Sequence, residues 1–256
     1  MNLGMVTYNI AAAWELDTLL DVCTAVGFAG VELRTTHAHG VEVTLSASQR
    51  RDVASKFADH GVTLVGLGST YEYHSADPAE LRRNLEGTKA AARLAADLGA
   101  AGVKVRPNGL PKGVLEEKTL AQIGRALQEA AADAADVGVE IRMEVHGRET
   151  CSPVRMATIM AHADHPNAKV CWNSNDADLD ADQRLEPNFR LLAERIGLVH
   201  INRLHSGYPY AELFTLLKQT GYAGFCLAEI PGTPDVESAK ELLRYYRTCF
   251  ELLGGI

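Results

Sequence analysis

The sequence predicts a single-domain α/β protein folded as a (β/α)8 barrel, and three observations carry that reading. Short apolar runs alternate with longer helical patterns eight times along 256 residues, the signature of parallel strands joined by helical crossovers. A helix, glycine and strand unit recurs in VGFAGVELR (26–34), LGAAGVKVR (98–106) and TGYAGFCLAE (220–229). No GxGxxG follows the first strand and no GxxxxGK[ST] occurs anywhere, so the usual reason to prefer an open doubly wound sheet is missing.

The elements follow in order. NLGMVTYN opens the chain as the first strand, and GVELR is the second. HGVTLVGL (60–67), GVKVR, VGVEIRM (137–143), KVCWNSN, GLVHIN and GFCLAE supply the other six. Helical spacing fills the gaps at 14–26, 46–60, 78–98, 116–137, 153–163, 182–195, 210–219 and 235–253. Asp77 before Pro78 reads as a cap followed by a first helical residue. In each repeated unit the first glycine suits a left-handed helix cap, and the second is expected to turn the chain tightly into the sheet. No proline- or serine-rich linker divides the chain, so one domain is expected over 1–256.

Alternation within the strands gives the faces. Val31 and Leu33 turn toward helices while Glu32 and Arg34 turn the other way, and Lys104, Arg106, Arg142 and Glu144 share that second face. Helices cover the outside of a parallel sheet, so these charges belong inside the barrel and must pair there. The expectation is an internal network of Glu32, Lys104 and Arg142.

A net charge of −8 opposes a nucleic-acid backbone and favours a small-molecule partner. No basic segment precedes a long apolar run, which predicts no membrane partner and a cytoplasmic protein. Five scattered cysteines (Cys23, Cys151, Cys171, Cys226, Cys249) form no CxxC pair and read as reduced core thiols. A homo-oligomer stays open.

Four successive strands in the C-terminal half stop on metal-competent side chains: Glu144, Asn173, His200 and Glu229. On parallel strands these ends meet at one rim, where α/β barrels keep their chemistry. Oxygen-rich ligation with one imidazole suits Mn²⁺, Mg²⁺, Co²⁺ or Zn²⁺. His37, His74 and His146 follow strand patterns and are read as substrate contacts, with His39 sharing the first loop. Arg106, Arg203 and His205 offer charge for a phosphate or carboxylate, and Asp176 lies three residues after Asn173. Trp14 and Tyr8 offer an apolar wall for a sugar ring or simply packing. His60, His162 and His165 fall in or at the ends of helices and receive no function.

On GVELR, the glutamate of MEVHG, CWNSND, VHIN, LAEIP and the final RYYRTCFELL, the whole chain resembles the xylose isomerase-like TIM barrels. That group holds sugar isomerases and epimerases, inosose dehydratases and endonuclease IV type nucleases. The resemblance implies that Glu144, His200 and Glu229 bind a divalent metal and that Glu144 and Glu229 also move protons. Asn173 stands where the family usually has Asp, so the metal is expected to be held more weakly or only together with substrate, with Asp176 compensating directly or through water; Asn173 itself either ligates the metal or hydrogen bonds the substrate. The implied activity is a metal-dependent isomerase or epimerase of a keto sugar or related polyol, working through an enediolate. A dehydratase of a keto-inositol or keto-glycoside shares the same residues, and a non-catalytic sugar-binding barrel is the third reading. An abasic-site nuclease is disfavoured, because VHINRLHSGYPY lacks the expected DxH element and the chain is acidic.

Overall fold

In a computed structural model describing residues 1–256, eight parallel strands close into a barrel in sequence order. The strands are β1 (Asn2–Val6), β2 (Gly30–Arg34), β3 (Thr63–Glu72), β4 (Gly102–Arg106), β5 (Glu140–Glu144), β6 (Ala168–Asn173), β7 (Ile196–Ile201) and β8 (Phe225–Ala228). The helices are α1 (Leu16–Val26), α2 (Ala47–His60), α3 (Pro78–Asp97), α4 (Glu116–Ala135), α5 (Pro153–Ala161), α6 (Glu186–Arg190), α7 (Tyr210–Gln219) and α8 (Val236–Leu252). β1 pairs with both β2 and β8, which removes any free sheet edge. No helix is long and apolar enough to cross a membrane.

Local chemistry places the helix ends. Asp77 accepts from the Ala79 amide with Pro78 in the first turn, as expected. Asp235 accepts from the Ser238 amide, and Ser46 with Gln49 forms a capping box at α2. Gly27 ends α1 at φ 72°, a left-handed conformation that costs glycine nothing.

The second glycine of the unit has another cause than the tight turn expected. Gly102 has no positive φ; it lies within β4, where a Cβ would come 2.5 Å from the Arg142 Nε. It clears room inside the barrel for an arginine side chain.

Two elements depart from expectation. The helix expected over 182–195 is reduced to α6 and a single 3-10 turn at Ala193–Arg195. Pro187 in its first turn sets the start at Glu186, while Asp180 takes Arg184 in an ion pair and Gln183 adopts φ 61°, so the preceding residues form a turn. β3 runs to Glu72, beyond the run that ends at residue 67 in the sequence pattern, with a register shift between Gly68 and Glu72.

The charges expected inside are there, but with other partners. Glu32, Lys104 and Arg142 are all buried. Lys104 nevertheless pairs with Glu144, and Arg142 reaches downward to Glu140 and the Val65 carbonyl, both at 3.0 Å. Glu32 faces His200. Strand tilt puts these side chains at different heights, and pairing follows height rather than strand order. Of the cysteines, Cys23, Cys171 and Cys226 are buried, whereas Cys249 is exposed on α8 and is no core thiol.

Candidate active site

β5 to β8 bring Glu144, Asn173, His200 and Glu229 to one rim. Asn173 is in register with His200, and the Glu229 amide donates to the Ile201 carbonyl at 2.9 Å, so the residue just past β8 still follows the strand direction. Glu144, His200 and Glu229 offer ligand atoms that all lie within 4.8 Å of one another. Neither ring nitrogen of His200 has a hydrogen-bond partner although the side chain is buried. Two carboxylates and an unsatisfied imidazole fit a divalent cation as a donor set.

Asn173 reaches the same cluster with its amide turned. Its Nδ2 donates to Glu144 Oε1 at 3.1 Å, while Asn202 Nδ2 donates to the Asn173 Oδ1 at 3.4 Å and to the Ser174 carbonyl at 2.9 Å. The reversed amide would set oxygen against a carboxylate and donor against donor, so the orientation is fixed by its neighbours. The Asn173 oxygen turns to the centre only if Asn202 releases it.

Below and beside this cluster lie its counter-charges. Lys104 Nζ donates to Glu144 Oε2 at 2.8 Å. The His200 imidazole stands 3.4 Å from Glu144 on one side and 3.4 Å from Glu32 on the other, distances that give ionic contact rather than aligned hydrogen bonds. Burial alone would push Glu144 up, yet Lys104 and then His200 hold its carboxyl well below the usual carboxylate range. Glu32 is lowered in the same way: burial opposes its charge and His200 overcomes that. For His200 burial works against the proton, but the Cys171 sulfur and the Glu32 and Glu144 carboxylates drive its pKa well above the ordinary value. Glu229 differs. Burial raises it, and His200 only partly offsets that.

Two cavities meet at Glu229. The larger, about 270 Å³, is lined by polar side chains including Asn9, Ser174, Asn202 and Tyr210, together with the predicted Asp176 and Arg203. The smaller, about 50 Å³, holds Tyr8, Arg34, Lys104, Glu144 and the predicted Arg106 and His146. His146 Nδ1 is 2.9 Å from the Asn108 Oδ1. Arg106 is taken up by Glu72 at 2.6 Å. His37 and His74 line neither cavity: His37 stacks beside Tyr8 and contacts the Thr7 hydroxyl at 3.1 Å, and His74 stands 3.8 Å from Glu72. Burial, and then His39, pull His37 down to about 4, so it is neutral at neutral pH. Trp14 is packed in the core, and Tyr8 is exposed at the rim.

Next to the larger cavity, a short 3-10 turn over Asp176–Asp178 buries Asp178 completely. Its Oδ2 accepts from the Tyr208 hydroxyl at 2.7 Å and the Asn175 amide at 3.0 Å, and Tyr208 accepts from Trp172 Nε1 at 3.2 Å. Burial pushes Asp178 up to about 7.

The sequence reading did not single out Arg34, Glu72, Asn202, Tyr208 or Asp178 for the site. Arg34 carried a signal, since it ends β2 on the same face as Glu32. Asn202 ends the GLVHIN pattern, whereas Glu72 lies beyond the apolar run of β3 and Tyr208 and Asp178 lie in loops, where no strand or helix period extends.

The family described as xylose isomerase-like TIM barrel matches residues 20–249. Among solved structures, D-psicose 3-epimerase in the presence of D-fructose superposes with a TM-score of 0.84 at 16% identity, covering 100% of both chains. The IolI protein with a bound zinc atom gives 0.81 at 14% identity over 99% of this chain and 98% of that one. YcjR from E. coli, a 3-keto-D-glucoside 4-epimerase, gives 0.79 at 15% identity over 97% and 100%. No curated protein sequence matches.

Proposed function

The chain belongs to the xylose isomerase-like TIM barrel family, and from that premise we propose that it is an isomerase or epimerase of a keto sugar or related polyol. One observation carries the reading: carboxylates from β5 and the end of β8, Glu144 and Glu229, converge on one point with His200 at the mouth of a polar cavity. The fold neighbours, whose names and contents speak of sugar 3- and 4-epimerases, D-fructose and D-tagatose, agree with it.

The chemistry follows from placement. Glu144 as carboxylate takes the proton from a carbon beside the substrate carbonyl, and the C–H electron pair moves to make an enediolate. Glu229 as carboxylic acid returns a proton to the opposite face of that carbon, which gives the epimer; return to the neighbouring carbon gives the aldose–ketose isomer. The reverse reaction uses the same groups with roles exchanged. Glu144, His200 and Glu229 would hold a divalent ion, of the Mn²⁺, Mg²⁺, Co²⁺ or Zn²⁺ kind, and it supplies Lewis-acid stabilisation of negative charge on the substrate oxygens. Lys104 fixes one oxygen of Glu144 and Asn173 the other, so the base cannot swing away.

Incubation with D-fructose or D-tagatose in D₂O is the test. Expected is one carbon-bound deuterium in recovered sugar, dependent on added Mn²⁺, lost with chelator and lowered about 10²- to 10⁴-fold in Glu229→Gln. An unsaturated product with loss of water identifies a dehydratase instead. No exchange, with no metal in the purified protein, leaves a non-catalytic sugar-binding barrel.

A further inference from the structure

Around the smaller cavity one guanidinium is left without an ion-pair partner, although Glu229 lines the same space. Of its three cations, Lys104 is held by Glu144 at 2.8 Å and Arg106 by Glu72 at 2.6 Å. Arg34 has no carboxylate within ion-pair distance. Its only side-chain hydrogen bonds run from NH1 to the Thr35 carbonyl at 2.8 Å and the Thr35 hydroxyl at 3.3 Å, which leaves Nε and NH2 free. The side chain is half-buried; Arg106 repels it, and Glu144 and Glu32 attract it from beyond ion-pair distance. A half-buried guanidinium with two donor edges unpaired is open to an anion, and its fork suits a bidentate one.

Position then says what the anion is attached to. Glu229 lines both cavities, so a molecule lying across it puts one end against Arg34 and the other among Asn9, Ser174, Asn202 and Tyr210. The first end meets a free guanidinium fork in about 50 Å³ of space, and the second meets amides and hydroxyls in about 270 Å³. A guanidinium edge matches a planar carboxylate through paired hydrogen bonds, and the narrow cavity suits a carboxylate better than a phosphate. Neutral donors and acceptors match a hydroxylated chain.

Resting on the isomerase reading above, the geometry points to a keto sugar acid as substrate, its carboxylate held by Arg34 and its polyol chain in the larger cavity, so that the carbons between them lie over Glu144 and Glu229. Arg34 is then the residue that selects acids over neutral sugars.

Binding of D-gluconate and its uncharged counterpart D-glucitol, measured by calorimetry on the full chain, separates this from the catalytic claim. Expected is at least about tenfold tighter binding of D-gluconate, in line with a charge-assisted hydrogen bond, and loss of that preference in Arg34→Gln. Arg34→Lys, which keeps the charge without the fork, retains a reduced preference and serves where Arg34→Gln does not fold. Equal binding of the two ligands by the wild type overturns the inference, as does a preference kept in Arg34→Gln. Tighter binding of D-glucitol 6-phosphate than of D-gluconate also overturns it, in favour of a phosphate. If the acid preference is found while no sugar or sugar acid exchanges deuterium, the proton-transfer reading fails and the anion site stands. Exchange without the preference sinks only the anion site.

Discussion

Outside the sheet, 66 buried apolar residues form one cluster between strands and helices, whereas inside the barrel the apolar cluster is Val6, Val65, Cys171, Leu198 and Leu227 alone. Beside it the interior holds charge: Glu32, Lys104, Arg142, Glu144 and His200 are all buried, with the amide of Asn173 among them. Apolar burial is the main favourable contribution to folding, so the outer layer carries the stability. The inner layer adds little and is free to hold ionised groups in fixed relation. Labour is thus divided across a single sheet: one face of each strand folds the protein and the other prepares chemistry.

The largest expected effect breaks the outer layer. Phe250 is fully buried on α8 and packs edge-to-face on Phe214 with ring centroids 5.0 Å apart. Phe250→Ala should cost about 4 kcal/mol in urea unfolding, with kcat/KM of the folded fraction unchanged. A matching loss of kcat/KM would show that the layers are not separate.

The next effect breaks the inner layer. Lys104→Met leaves the Glu144 carboxylate buried without its cation, which should cost about 3 kcal/mol by the same measurement. Adding Glu144→Gln should restore most of that, because Glu32 and His200 then remain as a matched pair. If the double variant is as unstable as the single one, Lys104 serves by packing rather than by charge.

Much of this division was legible in the sequence because it is periodic. Val31 and Leu33 against Glu32 and Arg34 gave the two faces of β2, and Glu144, Asn173, His200 and Glu229 were placed on one rim from strand ends alone. Height along the barrel was not legible. Strand alternation says that Glu32, Lys104 and Arg142 point inward, but which of them meet depends on the tilt of the strands, and Lys104 meets Glu144 while Glu32 meets His200. Loops were the other blind region: the turn made by Asp180, Gln183 and Arg184 replaced most of an expected helix, and Glu72 claimed Arg106 from a strand extension that no apolar pattern announced.

Asp178, buried in the rim turn after β6, is a carboxyl with no cation to hold it. Its neighbours are Tyr208, Trp172 and the Asn175 amide, and Trp172 packs outward against Phe189. Glu144 has Lys104 and is lowered by it, whereas burial lifts Asp178 from the ordinary 3.8 to about 7. Between those two values the folded protein keeps a proton that the unfolded chain has released, so folding binds protons and stability falls as pH rises through the window. Above about 7 both states are ionised and the slope vanishes. From pH 5 to 7 the loss should be about 2 kcal/mol, at roughly 1.4 kcal/mol for each pH unit less the rounding near the upper end. Asp178→Asn keeps an oxygen for Tyr208 and the Asn175 amide but carries no charge to desolvate. Urea unfolding of the two proteins from pH 5 to 8 should therefore give a flatter profile for Asp178→Asn and a more stable variant at pH 8. A profile as steep in the variant as in the wild type would mean that another group sets the slope, and that a carboxyl buried without a cation is no harder to ionise here than one paired inside the barrel.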